Sequence, residues 1–140
     1  MRIRKSKLNI SILIVLVVTM VCIPAAASAV PYGLERGFEI DLPNEHVNYY
    51  FTSRTKSSNM NYGYVRLQEV DGSCNGINAW FCVGGTTNIC SHIVHCVEGV
   101  QSNITYKSNY YANASVRLGV EDYDNTILFH HNVKGVVNYN

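Results

Sequence analysis

From Val47 onward, no stretch of the chain places apolar residues at i, i+3, i+4 and i+7. Short runs instead alternate apolar with polar residues and end in Gly, Asn, Asp or Ser. Successive strand side chains point to opposite faces, so this period of two specifies half-buried strands and argues against amphipathic helices. Runs at 47–55, 62–70, 77–83, 91–97, 104–107, 115–123 and 130–139 fit it, and Asp71-Gly72 closes the second with a tight-turn signal. The pattern predicts an all-β fold, an antiparallel β-sandwich or open barrel of about six or seven strands. In the run at 77–83, Ile77, Ala79, Phe81 and Val83 share one face and Asn78, Trp80 and Cys82 the other. Apolar residues on both faces predict a strand that is central or covered on both sides. A bridge at Cys82 would turn the Trp80 face inward.

Residues 1–29 have a different composition. Arg2, Arg4, Lys5 and Lys7 precede an uncharged stretch over 8–23, and Ala27-Ser28-Ala29 closes the segment. A basic start, an apolar stretch and an A-x-A ending read as a secretory signal helix cleaved before Val30. The stretch is shorter than the ~20 residues of a membrane span, so no stable span is expected after cleavage. The expected organisation is a signal peptide at 1–29, an N-terminal arm at 30–46 and a β-sandwich domain at 47–140. The arm carries Pro31, Gly33, Gly37 and Pro43 and no clean period. Cleavage removes four basic residues and no acid, leaving seven basic against ten acidic. That balance excludes a nucleic-acid binder driven by bulk charge. A hydrophobic content of 47% with 15% charged residues excludes a disordered chain.

Export makes an extracellular location the expectation, and the even set Cys74, Cys82, Cys90 and Cys96 then reads as two disulfides. Strand positions favour Cys82–Cys96, which leaves Cys74–Cys90. The gaps of seven, seven and five residues lack the short C-x2–4-C pair of a structural zinc site. Two metal readings compete with plainer ones: zinc on the strand face of Cys90, His92 and Cys96, and calcium at Glu121, Asp122 and Asp124. The acidic segment lacks the glycine and terminal glutamate of an EF-hand loop, and neither a metal nor any other cofactor is expected.

No G-x-S-x-G elbow and no H-E-x-x-H motif is present, and bridged cysteines supply no nucleophilic thiol. On strands, His92 and His95 point apart, as do His130 and His131. No catalytic residue is therefore assigned, and the chain is expected not to be an enzyme. Asn103 and Asn113 match a glycosylation acceptor pattern, but the short Asn-rich chain reads as bacterial, which leaves both as loop positions. The ten tyrosines suit cross-strand pairs, and Tyr62, Tyr64, Tyr110 and Tyr111 also suit a binding surface for glycans or proteins.

The segments Asn78-Ala-Trp-Phe-Cys-Val, Ser108-Asn-Tyr-Tyr and Ser115-Val-Arg-Leu-Gly-Val-Glu-Asp resemble the small exported bacterial proteins of domain of unknown function 2712. The resemblance covers roughly residues 47–139 and implies export and a β fold. It departs in the four cysteines and in the C-terminal segment, and it carries no catalytic residue to transfer. The expected function is a secreted, non-enzymatic β-sandwich that binds a glycan or protein at the cell envelope or outside the cell. An exported antimicrobial or toxin-like protein is the first alternative, and a small secreted hydrolase the second.

Overall fold

A computed structural model describes residues 35–42, 47–72, 74–110, 112–124 and 130–140. The expected signal helix at 1–29 lies outside the described residues, as does Tyr111. The described residues form nine strands: β1 (Arg36–Leu42), β2 (Tyr49–Tyr50), β3 (Arg54–Thr55), β4 (Tyr62–Val70), β5 (Ile77–Val83), β6 (Val94–Cys96), β7 (Gln101–Thr105), β8 (Ser115–Asp122) and β9 (His131–Asn138). They build two antiparallel sheets, one in the order β1-β9-β4-β7 and the other β2-β8-β5-β6, with β3 also paired to β8. The fold is an all-β sandwich. Among the described residues no helix is long and apolar enough to cross a membrane.

Two differences from the sequence expectation raise the strand count. The arm contributes β1, which pairs with β9 along its whole length, from Arg36 opposite Val137 to Leu42 opposite His131. Phe38, Ile40 and Leu42 alternate with Gly37, Glu39 and Asp41, a short period of two hidden between Pro31 and Pro43. The run 47–55 divides into β2 and β3. Tyr50 lies opposite Gly119 and Arg54 opposite Val116, so four steps of one strand cover three of β8. The extra residue is a bulge that interrupts the ladder.

The core lies between the sheets, with Val65, Leu67, Val133 and Val137 from one and Ile77, Ala79, Phe81, Leu118 and Val120 from the other. Phe81 is its aromatic centre, 5.2 Å from the Tyr106 ring and 5.4 Å from the Tyr139 ring. One seam between the sheets is stitched by main-chain bonds, His92 N–H to Thr105 O and Lys107 N–H to Cys90 O, each 2.9 Å. On the other side Phe38 of β1 meets Phe51 at 5.2 Å.

β5 is central in its sheet, between β8 and β6. Its inner face carries Ile77, Ala79 and Phe81, so Trp80 and Cys82 occupy the outer face, the reverse of the expected orientation. Trp80 is buried there all the same, at 2% exposure. Tyr50 meets it edge-on at 6.2 Å, and its indole lies over Gly119, where an added Cβ would come within 2.5 Å of Nε1. Arg117 stacks over the Tyr50 ring at 4.5 Å and completes the cover.

The Tyr139 end of the core is plugged by a cation. Lys56, 1% exposed, donates from Nζ to the main-chain oxygens of Met60 at 2.9 Å, Tyr139 at 3.2 Å and Asn140. The same ammonium sits 4.5 Å over the Tyr106 ring, whose hydroxyl donates to Tyr139 O at 2.9 Å.

Candidate functional site

The four cysteines carry no disulfide, and both favoured pairings conflict with the strand register. Cys96 lies opposite Ile77, which places it on the inner face, whereas Cys82 points outward five positions further along β5. Five strand residues span about 17 Å, against a Cα separation below about 7 Å in a disulfide. Cys74 sits at the Gly76 end of β5, its thiol donating to Gly76 O at 3.1 Å, while Cys90 N–H bonds Phe81 O near the other end. Cys74–Cys90 is therefore ruled out on the same ground. So is a metal group at Cys90, His92 and Cys96, because Cys90 and Cys96 attach near opposite ends of β5. Burial pushes the Cys74 and Cys96 thiols up to about 11, so neither is a poised nucleophile.

Among the described residues, the tyrosine surface is not assembled either. Tyr64 is 2% exposed, and its hydroxyl donates to Glu35 Oε1 at 2.6 Å. Tyr62 shares that strand face, half-buried and opposite Thr105. Tyr110 stacks on Tyr106 at 5.3 Å and packs against the core. These rings fill and brace sheets, the role that cross-strand pairing gives tyrosine.

The acidic segment at the end of β8 disperses its carboxylates. Glu121 accepts from Asn78 Nδ2 at 3.0 Å, Asp124 from Asn75 Nδ2 at 2.9 Å, and Asp122 turns inward. The hydrogen bonds from Asn75 hold the Asp124 carboxyl below its usual range. His95 stacks on Tyr123 with ring centroids 3.6 Å apart, and His130 lies 3.9 Å from Asp41.

Two arrangements that sequence spacing could not show emerge from the fold. The first is a cleft of about 290 Å³ lined by Arg36, Ser53, Arg54, Thr55, Ser57 and residues 138–140. Arg36 opposes Val137 and Arg54 opposes Val116, so both occupy inner-face positions at the rim of the sandwich. The second is a group of Cys74, Asp122 and His131, whose sulfur, oxygen and nitrogen atoms lie within 4.8 Å of one another. These three residues come from the β4–β5 connection, the end of β8 and the start of β9, and no local motif marks them.

Comparison with protein-family models, curated proteins and solved structures finds no match to this chain.

Proposed function

We propose that this chain is an exported, non-enzymatic β-sandwich that binds an acidic glycan of the cell envelope through the cleft at Arg36 and Arg54. The cleft is the observation that carries the proposal. It sets two guanidinium-bearing side chains at the rim of opposing sheets, with Ser53, Thr55 and Ser57 beside them. A guanidinium fork pairs with two oxygens of one carboxylate or phosphate, and hydroxyls both donate to and accept from sugar hydroxyls.

Export rests on the segment 1–29 and on the resemblance to domain of unknown function 2712. Material recovered outside the cell should begin at Val30, as read by N-terminal sequencing. A membrane-retained chain beginning at Met1 would refute export.

For the binding step, titration calorimetry should detect association with a uronate- or phosphate-bearing envelope polysaccharide and none with a neutral glucan. Arg54→Glu should weaken that association at least ~10-fold, and raised salt should weaken it in the unaltered protein. Equal affinity for the neutral glucan, or an unchanged affinity in Arg54→Glu, would overturn the assignment.

A further inference from the structure

We infer that Cys74, Asp122 and His131 form a zinc site that bolts the two sheets together. The inference is independent of the glycan cleft. Asp122 ends β8 opposite Ile77, on the inner face of one sheet. His131 begins β9 opposite Leu42, on the inner face of the other. Cys74 stands in the crossover between β4 and β5, where the chain passes from sheet to sheet. The three residues thus meet across the gap at the His131 end of β9, away from the Lys56 plug at Tyr139.

The two spacings to the Asp122 carboxylate suit zinc. Cys74 Sγ lies 3.6 Å from Asp122 Oδ1, and His131 Nε2 lies 3.6 Å from Asp122 Oδ2. Tetrahedral zinc holds sulfur at ~2.3 Å and nitrogen or oxygen at ~2.0–2.1 Å, which puts neighbouring ligand atoms roughly 3.3–3.6 Å apart. A cation between them needs little movement.

Burial and donor type agree with the spacing. Asp122 is 0% exposed and His131 3% exposed, so a carboxylate and an imidazole face each other out of water. The Asp124 N–H donates to Asp122 Oδ1 at 2.9 Å and fixes the carboxylate's orientation, the outer-shell support that metal ligands require. A sulfur ligand beside nitrogen and oxygen suits zinc and disfavours calcium or magnesium, which take oxygen. Loading is a ligand exchange without redox change: the Cys74 thiol gives its proton to solvent, the S–Zn bond forms, and the ion sheds bound water. Three protein ligands leave the fourth tetrahedral position to a water molecule.

The test uses the full chain, stripped with a chelator and reloaded. One equivalent of zinc should bind and raise the melting temperature, and EDTA should reverse the rise. Cobalt(II) in place of zinc should give a thiolate-to-cobalt charge-transfer band in the near ultraviolet, and Cys74→Ser should abolish it. His131→Gln should weaken zinc binding at least ~100-fold. Should Cys74→Ser fail to fold, Asp122→Asn and the melting shift of the unaltered chain decide the matter. The site is refuted if stripped, folded chain takes up no stoichiometric zinc, if the cobalt band survives in Cys74→Ser, or if Cys74 is found in a disulfide in the native protein.

Discussion

Trp80→Ala is expected to destabilise the domain by about 3–5 kcal/mol, as removal of a buried indole does when the cavity cannot collapse. Collapse is blocked here from below by the Gly119 backbone and from the side by Tyr50. Moreover, Tyr50 loses its edge-on partner, which loosens the guanidinium of Arg117 stacked above it. A domain of this size holds about 5–15 kcal/mol in total, so the variant should melt more than about 12 °C lower by circular dichroism. An unchanged melting temperature, with red-shifted and quencher-accessible fluorescence from native Trp80, would mean that the indole is exposed and free to contact a ligand.

The second large effect is a pH dependence. Burial lowers the Lys56 ammonium to about 8, against a nearby Cys90 that raises it. Between pH 8 and 10.5 the unfolded chain holds this proton and the native chain does not, so stability must rise with pH across that window. The contribution is fully present above about pH 10.5 and is lost as pH falls to about 8. Lys56 is almost wholly inaccessible, so the shift converts to about 3 kcal/mol. Thiols and tyrosines that titrate over the same range cancel in the comparison with Lys56→Met, except Cys90, whose coupling to Lys56 is removed by making the comparison in a Cys90→Ala background. The stability difference between the native protein and Lys56→Met should therefore grow by about 3 kcal/mol from pH 8 to 10.5, measured by denaturant unfolding with Trp80 fluorescence as the probe. At neutral pH the variant loses three hydrogen bonds but also a desolvated charge, and the two effects offset. A difference that stays flat across the window would show the ammonium to be hydrated.

Strand character was legible wherever a period of two ran unbroken. The bounds of β4 and β5 follow from the sequence directly, because Asn61 and Asp71 frame the one and Gly76 and Gly84 the other. β1 was hidden because flanking prolines and glycines make a seven-residue strand look like an arm, and only its pairing with β9 reveals it. The burial of Trp80 was legible, but its face was not. Which side of a two-sided apolar strand meets the core is settled by register against β8, and periodicity carries no register. The cysteines misled for the same reason: adjacency in sequence suggested Cys82–Cys96, whereas the ladder sets Ile77 opposite Cys96. Cys74 and Asp122 stand 48 positions apart, so their contact is a product of topology alone.

The pairing of β1 with β9 also governs when this molecule can fold. β9 occupies the interior of its sheet, between β1 and β4, and it follows all the other described strands in sequence. Until it emerges, β1 has no neighbour and β4 exposes one edge, so half the sandwich cannot assemble however long the earlier strands wait. Contacts this distant in sequence make folding slow.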